Sequence, residues 1–328
     1  MSDLSHKPGA EAAAPGMGAP IASATAPTVP EPGDRRGRVE REFTVRERSQ
    51  WRQALTRFMR HRLAFGSLIL FVLIVLVAFV GAKLWKYPQD DVSSLGFVPP
   101  SPAHPFGTDQ IGHDMVAQVL RGAQQSIKVA LLVALLSSGI GVPYGAIAGF
   151  YGGRIDLIMM RVCDVLLTLP AIALAGALAH VFDGSWWTVA LILGGLGWVV
   201  NARVVRGVVL SVREQEFVEA ARALGSSDLR IVFRHLIPNV TSTIIVQATL
   251  DIAVAILLEA ALSFVGLGVR APDTSLGLLT FNARDEVDTH PVLFYAPGIT
   301  IILIALCVNF IGDGLRDALD PRQTRLRR

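Results

Sequence analysis

Charge is scarce in this chain of 328 residues: 17% are Asp, Glu, Lys or Arg, where a soluble domain carries about 25%. No charged residue occurs in 63–82, 129–153, 165–182, 184–202 or 289–312, and 236–269 holds only Asp251 and Glu259. A helix needs about 20 apolar residues to cross roughly 30 Å of hydrocarbon. Six such runs exclude a soluble enzyme and a receptor with a single anchor. Alternation of period two over segments of about 10 residues is also missing, which excludes an outer-membrane barrel. With 52% apolar residues and a mean hydropathy of +0.48, the chain is predicted to be an all-α membrane protein with six transmembrane helices.

Cysteine and lysine are rarer still. Cys163 and Cys307 both fall inside predicted spans and build no disulfide framework. None of the four lysines follows a glycine, so there is no phosphate-cradling Gly-x-x-x-x-Gly-Lys-Ser/Thr loop. His-Glu-x-x-His, Cys-x-x-Cys and Gly-x-Ser-x-Gly are absent too. His104, His113, His180 and His290 lack the spacing of metal ligands. No catalytic residue, metal or resident cofactor is predicted. Transport driven by ATP would need an ATPase on another chain.

Arginine is abundant, making up 26 of the 30 basic residues. Ten lie between Arg35 and Arg62. Six more (Arg203, Arg206, Arg213, Arg222, Arg230, Arg234) surround the fourth inter-helix region, and five end the chain. Loops 83–125, 181–186 and 267–294 carry only Lys83, Lys86, Arg121, Arg270 and Arg284, beside nine acidic residues. The positive-inside rule therefore predicts that both termini are cytoplasmic. An anchor flanking the first span explains the arginine cluster without nucleic acid. The run 63–82 is longer than a signal-peptide core of 7–15 residues and starts far into the chain, so it is expected to stay as an uncleaved anchor.

Residues 1–43 are expected to be a disordered tail, their first 34 residues being rich in Ala, Pro and Gly. In 44–62, Trp51, Leu55, Phe58 and Met59 form one apolar stripe, which predicts a cytoplasmic helix on the membrane surface. The first span is 63–82. An extracytoplasmic segment, 83–125, should end in a short helix over 112–125. The second span, 126–148, has Lys128 snorkelling at its outer end. Gly141, Gly145 and Gly149 recur every four residues and predict a face against which another helix packs closely. Further spans are expected at 156–179, 186–209, 240–265 and 292–312. A five-helix core would occupy 126–314, with an inside loop at 211–239 and a cytoplasmic tail at 315–328.

The inside loop holds the most specific pattern. Phe217, Ala220, Ala221 and Leu224 line one face of a short helix, with Glu216, Glu219 and Arg222 polar. Gly225 follows as the residue that can take a left-handed conformation, Ser226 or Ser227 can cap the next helix, and Pro238 is placed to open the fifth span. Such a helix either docks on a soluble partner or merely connects two spans. The pattern leaves both open.

Glu219-Ala220-Ala221, then Gly225, Ile231 and Leu236-x-Pro238, resembles the coupling loop of bacterial ABC-importer permeases. More narrowly, residues 45–322 resemble the second (C-type) permease of dipeptide/oligopeptide importers. His104-Pro-Phe-Gly107-Thr-Asp109-x-x-Gly112-x-Asp114, Gly149-Phe-Tyr-Gly-Gly153, Leu262-Ser-Phe-Val-Gly266-Leu-Gly268 and Gly312-Asp-Gly-Leu-Arg-Asp-Ala-Leu-Asp-Pro321 carry the likeness. His113, Gln124 and Leu276 depart from it, standing where the family usually has Arg, Arg and Trp. The resemblance implies a type I importer bundle whose loop residues Phe217, Glu219, Ala220, Ala221, Arg222, Leu224, Gly225 and Pro238 couple to an ATPase. It also implies a second homologous permease, one or two ATPase subunits holding ATP and Mg, and an extracytoplasmic binding protein. The cargo implied is dipeptides or oligopeptides. Nickel chelates, glutathione or another small solute is the alternative, and a secondary transporter, which would favour repeated halves, is a distant one.

A charge at the centre of a lipid-facing helix costs about 2.5–3.5 kcal/mol. Asp251 and Glu259 should therefore face the bundle, either lining the translocation path or a heterodimer seam, or serving as structural bonds. Arg161 and Asp164 are i, i+3 neighbours expected to satisfy one another. Asn309 is placed with Asp251 and Glu259 in the translocation path or bundle interior, where it could bond another helix.

Overall fold

The computed structural model describes residues 50–92 and 95–319, with the side chains of Gln50 and Trp51 left out. The tail 1–43, residues 44–49, the Trp51 position in the stripe and 320–328 lie outside the described residues. Among the described residues there is no strand, only two isolated bridges, Val92 with His113 and Thr108 with Asp114.

Helix α1, Gln50–Arg60, divides its apolar stripe in two. Phe58 and Ala54 are buried against the end of the last helix, while Leu55 and Met59 are exposed. His61 then caps α2, its Nδ1 accepting the Ala64 N–H at 3.2 Å. Helix α2, Arg62–Leu84, has 23 residues and spans about 34 Å. Leu63, Ile69, Leu73, Leu76 and Val80 stay half exposed, as suits a surface whose solvent is lipid. A π turn at Val77–Gly81 widens it, and the Gln124 amide donates to the Ala78 carbonyl at 2.6 Å.

The segment after α2 is pinned by two aspartates. Asp109 Oδ1 accepts the N–H groups of Ile111, Gly112 and His113, and its Oδ2 bonds His113 Nδ1. Asp114 caps the next helix through the Ala117 N–H and accepts from Trp85 Nε1, and His104 Nδ1 bonds its Oδ2. The helix it starts, α3, runs unbroken from Met115 to Tyr151 for 37 residues, about 55 Å. The separate helix expected over 112–125 is thus its first turns. Gly122 does not break it, because its missing side chain lets Ser275 and Leu276 approach; a Cβ there would meet backbone at 3.1 Å.

The expected span 156–179 is two helices, α4, Gly153–Thr168, and α5, Ala171–Val181, bent by 79°. The cause is Pro170, which excludes a helical conformation for Leu169; that residue is extended at φ −80°, ψ 132°. Helix α6, Trp186–Val212, lies along α3. It is followed by α7, Glu216–Ala223, and by α8, Asp228–Ile231, which continues through a π turn at Val232–Leu236. Pro238 sits in a separate turn, Ile237–Asn239, and does not open the next span; α9 begins after it, Thr241–Phe264. Helix α10, Leu276–Asn282, precedes α11, Pro291–Leu319. Residues 315–319, expected as tail, are helix because Ala318 packs with Ala54, Phe58 and Ala64. Among the described residues, five helices are long and apolar enough to cross a membrane, and one bent pair is long enough to make a sixth. Its core joins α3, α6, α9 and α11 through Ile127, Val133, Val189, Ile256 and Ile304.

Candidate functional site: a sealed helix hairpin and the polar groups inside the bundle

Gly141, Gly145 and Gly149 set how closely α3 approaches α6. A Cβ would lie 2.5 Å from the Trp198 carbonyl oxygen at Gly141, 2.2 Å from that of Ala202 at Gly145 and 3.0 Å from that of Arg206 at Gly149. Only glycine admits such contact. The seam leads to α7, and Arg213 locks the end of α3 by donating to the Gly149 carbonyl at 3.0 Å.

Helix α7 has two unlike faces. Val218 is fully buried and Ala221 nearly so, packed with Ile231, Val232 and Leu236 of α8 and with Ala146, Phe150, Val205 and Val209 of the bundle. Ala221 therefore belongs to the inward face, not with Phe217, Ala220 and Leu224 as its spacing predicted. The outward residues are Phe217, Glu219, Ala220 and Leu224, the last 86% exposed. Arg222 stands 5.0 Å from the centre of the Phe150 ring, within cation–π range. Gly225 ends the helix at φ +77°. Its N–H donates to the Arg222 carbonyl and that of Ser226 to Ala221, the paired bonds of a Schellman turn. Ser227 stands at the next cap position in extended backbone, without a capping side-chain bond. Leu229 and Phe233 of α8 and its π turn are half exposed as well.

Asp251 and Glu259, the two carboxyls inside the bundle singled out by the sequence, are both hydrogen-bonded. Asp251 accepts from Asn201 Nδ2 at 2.6 Å and Gln247 Nε2 at 3.1 Å. Asn201 Oδ1, though buried, has no partner among the described residues. Glu259 is fully buried and accepts from Ser126 on α3 and Ser263 on α9. Ser126 Oγ in turn accepts the Leu276 N–H, so one carboxyl ties α9, α3 and the start of α10 together. The motif around Leu262 serves the same corner: Gly266, at φ +80°, closes a second Schellman turn, and Gly268 passes Ser263 so closely that a Cβ would lie 2.1 Å from its hydroxyl. Asp164 pairs mainly with Arg203 of α6 rather than with Arg161, and Asp156 pairs with Arg206. Asn309 bonds the Ala305 carbonyl of its own helix, not another helix. Sequence reasoning missed Val218, Asn201, Ser126 and Ser263; the last sits inside a quoted motif, and the others carry no local signal.

Between α6, α9 and the end of α11 lies an open cleft of about 410 Å³, bordered by Val204, Val246, Gln247, Leu250 and Arg316. Gln247 links it to Asp251.

Comparison with known proteins gives these features a family. Residues 141–325 match the binding-protein-dependent transport system inner membrane component. Residues 49–100 match the N-terminal TM domain of oligopeptide transport permease C. The oligopeptide transport system permease protein OppC of Mycobacterium tuberculosis is 41% identical over 275 residues, covering 83% of this chain and 94% of that protein. OppC of Bacillus subtilis is 38% identical, covering 84% and 90%. The dipeptide transport system permease protein DppC of Alkalihalophilus pseudofirmus is 37% identical, covering 84% and 90%. An inward-facing structure of the MetNI methionine ABC transporter superposes with a TM-score of 0.53 at 17% identity, covering 63% of this chain and 98% of that one, a likeness of fold. With relatives this similar over most of its length, the chain belongs to the family of binding-protein-dependent transport system inner membrane components.

Proposed function

We propose that this chain is the transmembrane permease of an ATP-driven importer for dipeptides or oligopeptides, seated in a bacterial inner membrane with both termini cytoplasmic. The names of its relatives support the cargo class, and the arginine asymmetry supports the orientation. One observation carries the coupling role. Helix α7 is sealed to the bundle through Val218 and Ala221 while presenting Phe217 and Leu224 outward. A connector has no reason to expose an apolar ridge on a rigid mount, whereas a helix that transmits force to an ATPase needs both. Partner ATPases would hold ATP and Mg, a second homologous permease would complete the path, and a binding protein would deliver the peptide.

The mount explains how force would travel. Movement of α7 carries α8, the ends of α3 and α6, and through their glycine seam the length of both helices. The cleft beside Gln247 and Asp251 supports placing the solute path on that side of the bundle. Away from that cleft, Glu259, clamped by serines, acts as a structural tie.

The test is Phe217→Ala with Leu224→Ala in the assembled complex. Removing buried interface anchors costs about 2 kcal/mol or more. Both side chains are exposed in this chain, so membrane levels should be normal, while ATPase retention after detergent extraction and uptake of a labelled dipeptide should fall together. Full retention with full uptake would reduce α7 to a connector.

A further inference from the structure

Cations are few at the end of the bundle opposite α1, and three of them meet in one cleft. Lys83 comes from the last turn of α2, and Arg121 and Lys128 come from α3. The cleft has a volume of about 360 Å³, within the range of small-molecule sites. None of the three is ion-paired among the described residues. Arg121 donates to Gln124 Oε1 at 3.2 Å, and the other end of that amide is committed to the Ala78 carbonyl. Lys128 lies 3.5 Å from Gln125 Oε1 and 5.7 Å from the centre of the Trp186 ring. Arg121 repels it, and Asp273, which also accepts the Trp186 N–H, is the carboxylate that attracts it. Arg121 and Lys128 are half buried. With Asp273 the one carboxylate drawn to Lys128 and no ion pair on Lys83 or Arg121 among the described residues, the cleft carries an excess of positive charge, which an anion relieves.

The position selects the anion. Lys83 closes the first span, and Lys128 immediately precedes the uncharged stretch 129–153; both mark the level where hydrocarbon meets headgroups. The cleft is walled by Phe79 and Ala82 of α2, and the neighbouring Leu76, Val77 and Val80 are about half exposed. A ligand seated here has a phosphate-binding end and an apolar flank. We propose that this cleft binds an anionic phospholipid, its phosphodiester held by Lys83, Arg121 and Lys128 and an acyl chain lying along α2. The inference needs only a membrane seat, and its test reads lipid rather than transport.

The experiment is native mass spectrometry of the intact purified complex equilibrated with dioleoylphosphatidylglycerol or dioleoylphosphatidylcholine. The anionic lipid should be retained at least tenfold better. Arg121→Gln and Lys128→Gln should each cut that preference about fivefold, the share of one cation near an anionic headgroup, while Lys83→Arg should keep it. Equal retention of both lipids by the unaltered complex would overturn the proposal, whether or not any variant inserts. So would a preference that survives both substitutions. Displacement of phosphatidylglycerol by inorganic phosphate at equal concentration would assign the cleft to a soluble anion and refute the lipid. A cleft whose Lys83→Cys thiol is shielded in the lipid-free complex would be filled by a partner chain, which refutes it equally.

Discussion

The glycine seam between α3 and α6 offers a perturbation whose size can be worked out from distances. In Gly145→Ala the new Cβ would sit 2.2 Å from the Ala202 carbonyl oxygen, 2.9 Å from its carbonyl carbon and 3.0 Å from its Cα. All three are backbone, so no side chain can swing aside. Ordinary contact requires the helices to part by roughly 1 Å, which forfeits a quarter or more of the dispersion energy of each contact along the seam. Overpacking of this kind costs about 1–3 kcal/mol. Alanine also gains about 1 kcal/mol of helix propensity over glycine, which masks part of that loss. Gly139→Ala removes the ambiguity. It lies on the same helix, a Cβ there meets nothing within 4 Å, and its propensity gain is the same. The difference between the two variants therefore isolates the steric term. We expect Gly139→Ala to be neutral or slightly stabilising and Gly145→Ala to be less stable than it by about 1–3 kcal/mol, roughly 5- to 150-fold in the unfolding equilibrium. Reversible unfolding of the purified chain in bicelles, followed by steric trapping, measures this directly. Equal stability of the two variants would refute the close-approach reasoning.

Three further expectations test other parts of the molecule. Ser126→Ala removes both a donor to Glu259 and the acceptor for the Leu276 N–H; leaving buried groups unpaired costs about 1–3 kcal/mol, and faster hydrogen exchange over 276–282 should report it, whereas unchanged exchange would show that the tie is idle. Asp183 lies in the turn between α5 and α6, and bonds from Thr188 and Ser185 hold its carboxyl below the ordinary value; a lowered folded pKa gives stability that is present above the unfolded pKa and lost as pH falls through the folded one, so the α5–α6 turn should loosen below about pH 4 and Asp183→Asn should abolish that dependence in a pH series of exchange at 183–188. On a background lacking Cys163 and Cys307, Thr274→Cys should react with an impermeant thiol reagent in intact cells and Ser227→Cys should not; the reverse pattern would invert the proposed orientation.

The sequence alone carried everything that depends on one helix and its solvent. Uncharged runs located the spans because a lone charge in hydrocarbon is prohibitive, and the local grammar of Gly225 placed the end of α7, since only the backbone of a few consecutive residues is involved. The Glu219–Pro238 loop resembles that of the family to which the chain belongs. Glycine spacing announced a packing face but not its partner. That partner, α6, emerges only when the 34 residues between Tyr151 and Trp186 fold back. The break at Pro170 is local, since proline excludes a helical conformation for the residue before it, and the expected span overran it. Tertiary structure decided the continuity of α3 through Gly122, where Leu276 approaches closely. It also turned Ala221 inward: helical spacing puts Phe217, Ala220, Ala221 and Leu224 on one arc, and only the surface that α7 meets selects which edge of that arc is buried. Glu259 reaches Ser126 only when α9 meets α3, and Lys83 of α2 shares a cleft with Arg121 and Lys128 of α3 only when those helices touch.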